Sequence, residues 1–381
     1  MSRAYLDHAS SSPLRPVALE AMLPYLRDHP ADPGRVHSDG RVTRVAVEDA
    51  RVEVAALLGA RPREVVFTAT GTEAVNAAVW GAVARAAAAP ARPHVVTSAV
   101  EHSAVLESCR RADADVTVVG VDGRGRFDGD EVVAALRPET ALVTVQLANH
   151  EVGTLQGGVP VVVAGARDRG VLVHVDACAA AGHVRLDFGE LGADLCSVTA
   201  HKLGGPKGAA ALLVRRGVRL PPFVVGGDQE RARRAGTEDV PAIVGFGAAA
   251  AELDAAGRLD AEAETARAQT TRLVADATAV EGVHELGDPT ARLPHLVCLA
   301  VDGVEAEPVL LGLDQHGVAV HSGSSCSSEA LEPSPVLAAM GVDAERSLRP
   351  SVGWSTTDAD VAAFGAAFPE VIGKLRALRG G

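Results

Sequence analysis

The chain has few aromatic residues and few lysines. Of its 381 residues only two are tryptophan, two tyrosine and seven phenylalanine, so aliphatic side chains and alanine must fill its cores. Among 36 basic residues three are lysines: Lys202, Lys207 and Lys374. Five cysteines in a chain this long exclude a disulfide framework. No apolar stretch resembling a signal peptide follows Met1, so the expected compartment is the cytoplasm, with the thiols reduced. No run approaches the ~18 apolar residues of a membrane span, and no membrane association is expected. The net charge of −13 argues against direct nucleic-acid binding, which needs clustered cations; Arg231 to Arg234 is a local basic patch only.

What the chain does have is length and apolar mass. With 47% hydrophobic residues it can bury a full core, and its length points to two domains. Short β-rich runs at 64–69, 94–98, 115–119, 141–147, 171–175, 195–198 and 209–214 alternate with Ala/Leu-rich helical stretches. That alternation predicts an α/β fold with a mainly parallel seven-stranded sheet and helices on both faces. After about residue 240 come long helices at 241–253 and 260–277, the second polar enough for a surface connector. Strands near 295–300 and 317–321 and helices near 305–314, 334–340 and 358–378 then read as a smaller α+β C-terminal domain. The expected division is 15–252 for the large domain and 253–381, together with 1–14, for the small one.

The chemistry starts with the scarce lysine. Lys202 follows the strand-like Ser197-Val198-Thr199-Ala200-His201, and Asp176 ends the β-branched run Val173-His174-Val175. A lysine that holds an aldehyde as a Schiff base and an aspartate that keeps a pyridine nitrogen protonated are the pair a pyridoxal-phosphate enzyme requires. Three further segments follow strands. Thr68-Ala69-Thr70-Gly71-Thr72-Glu73 is a small-residue turn opening a helix, where backbone N–H groups can hold a phosphate. Thr72 there can equally be an ordinary N-cap. Glu101-His102-Ser103 places an imidazole where it can lie over a flat ring and exchange protons, although most lone histidines are structural. Ala148-Asn149-His150-Glu151 follows a fourth strand. Ligands of open α/β sheets bind beyond the carboxyl ends of the strands, so these groups should converge at one edge.

Taken with Tyr5-Leu6-Asp7-His8-Ala9, His201-Lys202-Leu203-Gly204-Gly205-Pro206, Arg234-Ala235-Gly236-Thr237-Glu238, Leu331-Glu332-Pro333-Ser334 and Ser347-Leu348-Arg349-Pro350-Ser351, the chain resembles the pyridoxal-phosphate-dependent cysteine desulfurases of the NifS/IscS branch nearly end to end. The resemblance implies a fold-type-I homodimer with pyridoxal 5'-phosphate bound to Lys202, Asp176 paired with the pyridine nitrogen and His102 stacked on the ring. It further implies Asn149 beside the ring hydroxyl and the substrate, Thr72, Thr199 and His201 with Gly71 at the phosphate, and Thr237 reaching the phosphate of the neighbouring subunit. Arg349 matches the clamp on the substrate carboxylate.

The segment Ser322-Gly323-Ser324-Ser325-Cys326-Ser327 matches the family's long-loop class. A thiol on a Gly/Ser-rich loop can attack sulfur and carry it as a persulfide. Cys326 is therefore the expected nucleophile, while Cys109, Cys178, Cys196 and Cys298, in or beside apolar runs, read as inert core residues. The implied reaction converts L-cysteine to L-alanine, with Lys202 moving the Cα proton and Cys326 taking the sulfur for an acceptor protein. That sulfur can serve iron–sulfur assembly, tRNA thiolation or DNA phosphorothioation, the last through a resemblance to DndA-type desulfurases. A selenocysteine lyase or another fold-type-I aminotransferase or lyase is the alternative reading, and a non-enzymatic scaffold is disfavoured by the intact Lys202, Asp176, His102 and Arg349. Four positions depart from the family pattern: Ala179 replaces a glutamine expected at the ring oxygen, His150 an asparagine, Asp228 a glycine and Trp354 an arginine. His150 is placed to compensate for the missing glutamine.

Overall fold

A computed structural model describes residues 3–87, 91–322 and 334–379. Cys326 and its neighbours lie outside the described residues. The N-terminal strand β1 (Ala4–Tyr5) leads into helices Pro16–Arg27 and Ser38–Leu57. Seven strands follow: β2 (Val65–Thr68), β3 (His94–Ser98), β4 (Asp115–Val119), β5 (Thr140–Gln146), β6 (Leu172–Asp176), β7 (Leu195–Thr199) and β8 (Ala210–Val214). They form one sheet in the order β2-β8-β7-β6-β5-β3-β4. β8 alone runs against its neighbours; the pairs from β7 through β6, β5 and β3 to β4 are parallel.

Alternation along these strands explains the two covered faces. Val65, Phe67, Val96, Val143, Val175 and Leu213 enter one core, whereas Val66, Val95, Leu142, Leu212 and Val214 enter another on the opposite face. A parallel sheet buried on both sides must be apolar at consecutive positions, which is why these runs are so rich in valine and leucine.

A second, antiparallel sheet has the order β12-β13-β10-β9, from β9 (Val283–Leu286), β10 (Cys298–Val301), β12 (His321–Ser322) and β13 (Ser347–Arg349). Its core includes Leu299, Leu348, Phe364 and Phe368, the last two stacked with ring centroids 5.1 Å apart. Ala4 and Leu6 pack into this same core, because β1 pairs in parallel with β11 (Val318–Ala319). Two expected strands are shorter or divided. Only Cys298–Val301 of the 295–300 region is a strand, and the 317–321 run is split between β11 and β12, which join different sheets. Helix Arg258–Thr278 is less of a surface connector than its polarity implies: it buries Ala266, Leu273 and Ala277 against the second core. Among the described residues no single helix is long and apolar enough to cross a membrane.

Candidate active site

The carboxyl ends of β2, β3, β5, β6 and β7 surround a cavity of about 350 Å³ lined by Gly71, Thr72, His102, Asp176, Thr199, His201, Lys202 and Arg349, among others. Each wall has a local cause. After β2 the chain turns into helix Gly71–Ala86 through a reciprocal cap. Thr70 Oγ1 accepts from the Glu73 amide at 3.0 Å, and Glu73 Oε2 accepts from the Ala69 amide at 2.9 Å. Arg234 fixes Glu73 from behind at 2.8 Å. Thr70, then, is the cap, and Thr72 is released to face the cavity. The basic patch is similarly consumed within the protein, Arg231 pairing with Glu48 and Arg234 with Glu73.

Asp176, at the end of β6, is buried and accepts from Ser197 Oγ at 2.9 Å and from the Cys178 amide at 3.0 Å. Burial alone would raise its pKa; His174, the Cys178 amide and thiol, and His102 reverse this and hold the carboxyl below the usual range. His174 is itself clamped between Thr144 Oγ1 (2.8 Å) and Ser197 Oγ (3.1 Å), and burial pulls it down to about 4. The nearby Glu101 is the opposite case, pushed up to about 8 by burial despite its bond from Ser98. Asp176 therefore remains the anion at this edge. Lys202 closes a single 3₁₀ turn after β7, its carbonyl held by Ser12 Oγ (3.0 Å) and His183 Nε2 (3.1 Å). His201 Nδ1 meets Thr199 Oγ1 at 2.8 Å.

His102 caps helix Ser103–Arg111, its Nδ1 accepting from the Ala104 amide at 3.0 Å. In the neutral ring this assigns the proton to Nε2. His150 meets the His102 ring edge-on, centroids 5.0 Å apart. Arg349 on β13 is fully enclosed, donating to Ser10 Oγ (2.6 Å), the His150 carbonyl (3.0 Å) and Asp7 Oδ1 (3.4 Å). Such a fork, fixed by its partners, suits a carboxylate.

Two expectations, those for Asn149 and Cys178, fall differently. Asn149 is buried but does not line the cavity: its amide donates to the Val100 carbonyl (3.1 Å), and its oxygen accepts from the Glu151 and Val152 amides (2.8 Å each). It builds the turn that presents His150. Thr237 is exposed and outside the cavity lining. Cys178 is no core residue, for it stands in the cavity wall beside Asp176, although burial pushes its thiol well up. Cys109 and Cys298 are buried as expected, their thiols pushed up to about 12, and Cys196 is buried with them. The supporting Ser10, His174 and Ser197 carry no sequence motif; only the alternation of β6 and β7 places His174 and Ser197 near Asp176.

Pyridoxal phosphate fits these residues. The phosphate end has a wall that admits no side chain: a Cβ on Gly71 would lie 2.8 Å from Cys178 Sγ. The ring end has a buried anion, Asp176, which requires a cationic partner such as a pyridinium. Gly71→Ala should thus weaken cofactor binding by about 1–3 kcal/mol through overpacking. The check is an absorbance titration with the cofactor, in which Gly71→Ala/Cys178→Ala recovers most of the loss; unchanged affinity in the single variant contradicts this account.

The aminotransferase class-V family model matches residues 4–364. A cysteine desulfurase from Trichormus azollae is 41% identical, covering 99% of this chain and 95% of its own. The chain belongs to the cysteine desulfurase family. Cysteine desulfurase IscS of Dictyoglomus turgidum is 39% identical to this family member over 98% of the chain and 95% of that protein. Among solved structures a NifS-like protein superposes with a TM-score of 0.90 at 29% identity, covering 98% of this chain and all of that one. A structure of SspA in complex with cysteine gives 0.81 at 28% identity, over 92% and 99%. The family members are pyridoxal-phosphate enzymes of fold type I, the cofactor expected from the Lys202–Asp176 pair and the fold implied by the resemblance.

Proposed function

We propose that the protein takes sulfur from L-cysteine, releasing L-alanine and leaving a persulfide on Cys326 for transfer to an acceptor protein. One observation carries the reading: Lys202, Asp176 and the enclosed Arg349 open on a single cavity. When bound, pyridoxal phosphate supplies an electron sink for the pair released as the substrate loses its Cα proton. Arg349 binds the substrate carboxylate and fixes which bond faces Lys202. Lys202 then accepts the Cα proton at Nζ and returns a proton to carbon later. His102, whose Nδ1 accepts from the Ala104 amide, would lie against the ring and orient it. The Cys326 thiolate attacks the substrate sulfur; an S–S bond forms, the C–S bond breaks, and its electron pair goes to the carbon that is protonated to give alanine. Both ends of the loop are tied to the site. His321 on β12 pairs in register with Arg349, and Ser334 donates to Glu151 Oε2 at 2.5 Å, next to the His150 that lines the cavity. Alanine and sulfide formed in equal amounts from cysteine and a thiol reductant, with no keto acid present, tests the reading. A strict requirement for a keto acid would instead make this an aminotransferase.

Arg349→Ala should weaken cysteine binding by about 1.5–3 kcal/mol, the scale of a charge-assisted hydrogen bond. A spectral titration with cysteine measures it, and an affinity equal to that of the wild type removes Arg349 from the substrate site.

The working unit is a homodimer in this reading, with Thr237 contributing to the neighbouring phosphate site. Leu19, Leu23 and Leu26 support it: spaced along one face of helix Pro16–Arg27, they are all exposed, an arrangement that calls for a covering surface. Two separate cores likewise support two domains, with Leu253 still in the first core and Ala266 opening the second. Sedimentation equilibrium should give twice the 39.0 kDa chain mass; a monomer at micromolar concentration refutes the dimer.

A further inference from the structure

A second cavity of about 220 Å³ adjoins the first, and among the described residues Lys202 is the one that lines both. Its wall includes a histidine pair that the chemistry above does not use. His183 and His295 stack face to face, with centroids 3.5 Å and ring planes 16° apart. His295 is only 2% exposed, and its Nδ1 has no hydrogen-bond partner among the described residues. A buried nitrogen left unpaired is destabilising, which an apolar side chain of similar size would not be. Both rings are neutral. Burial pulls His183 down to about 3 and His295 well below its ordinary value, with His183, His8, Lys202 and Arg349 adding to the shift at His295. A neutral imidazole retains one accepting nitrogen.

Lys202 must leave the cofactor as an amine whenever an amino acid takes its place, and once it has taken up the Cα proton its ammonium needs an acceptor. The backbone there is fixed, since His183 and Ser12 hold the Lys202 carbonyl and Arg15 Nε holds that of Leu203 at 2.9 Å. Only the four-carbon stem can swing. The cavity is several times the ~30 Å³ share of a water molecule, room enough for the stem and its head. Its carboxylate, Glu262, is already engaged by Arg15 (2.6 Å) and Arg258 (2.7 Å). The hydroxyl of Thr356 is occupied by His8 (3.2 Å) and the Gly353 amide (2.9 Å).

We propose that the second cavity receives the released Lys202 side chain and that His295 Nδ1 accepts a hydrogen bond from its ammonium. His295 is then a positioning residue: it holds the protonated lysine between proton uptake and the return of that proton. The stack with His183 keeps the accepting ring in place, and the same His183 anchors the backbone from which the lysine swings. This rests on the assignment of Lys202 as the cofactor-bearing lysine.

The test uses holoenzyme saturated with L-alanine, which releases the Lys202 amine, and a brief pulse of acetic anhydride. Mass spectrometry compares acetylation at Lys202 with that at the exposed Lys374 as an internal standard. In His295→Leu the Lys202 rate should rise about three- to tenfold, the factor one net hydrogen bond supplies, because an ammonium without its acceptor gives up its proton more readily. His295→Asn restores an acceptor and should stay within about twofold of wild type. His295→Ala, expected to behave as the leucine variant, takes its place if that protein does not fold. Equal rates in the wild type and the apolar variant overturn the proposal, as does an asparagine variant as fast as the leucine one. A failed Lys202 assignment shows separately, as borohydride labelling of Lys207 or Lys374.

Discussion

Lys202→Ala should leave the cofactor without a covalent attachment and lower alanine formation from cysteine by roughly 10⁴-fold or more, since one side chain supplies both the anchoring amine and the proton transfer. The remaining groups stay in place: Asp176 is held by Ser197 and the Cys178 amide, and the Gly71 turn by Thr70 and Glu73, through hydrogen bonds that do not involve the lysine side chain. The variant should accordingly bind pyridoxal phosphate reversibly and fold normally. Borohydride reduction followed by peptide mapping reads the attachment directly. In the wild type the label belongs on the peptide containing Lys202, and a label on Lys207 or Lys374 would refute the assignment.

Cys326→Ser should separate sulfur removal from everything that precedes it. Serine preserves size and polarity but has no thiolate, so cysteine should bind and perturb the cofactor spectrum as before while catalytic alanine release falls about 10²–10⁴-fold. The buried Cys109, Cys196 and Cys298 cannot substitute, because their thiols are held in the protonated form far above neutral pH and away from the cavity. Cys178 is the informative control. It stands in the cavity wall, yet burial and Asp176 keep its thiol protonated. Wild-type protein given limited cysteine without reductant should gain one sulfur atom on the peptide containing Cys326. Sulfur on Cys178, or undiminished turnover in the serine variant, would mean that a different nucleophile acts.

The large sheet was legible because its physics is local: β-branched runs of five or so residues, separated by helical stretches, have few other ways to bury both faces. The end of β6 at Asp176 and the turn after β7 at Lys202 followed from the same pattern. Boundaries failed where tertiary pairing decides. The 317–321 run looks like one strand, but its first half pairs with β1 from the other end of the chain and its second half with β13. Asn149 and Cys178 were misplaced for a related reason. Each sits in a tight turn that can aim one of two neighbours inward: after β5 it is His150 rather than Asn149, whose oxygen is taken by the Glu151 and Val152 amides, and after β6 it is Cys178 as well as Asp176. The His183–His295 stack had no sequence signal, since 112 residues separate its members and neither belongs to a motif.

The pairing of His321 with Arg349 sets a limit on where the sulfur can be delivered. Cys326 is four residues beyond Ser322, the last residue of β12, and a polypeptide spans at most ~3.6 Å per residue, so its Cα stays within about 14 Å of that of Ser322. β12 is the outer strand of its sheet. With Cys326 as the carrier proposed above, an acceptor thiol would collect its cargo at this corner of the small sheet rather than on the far side of the large one.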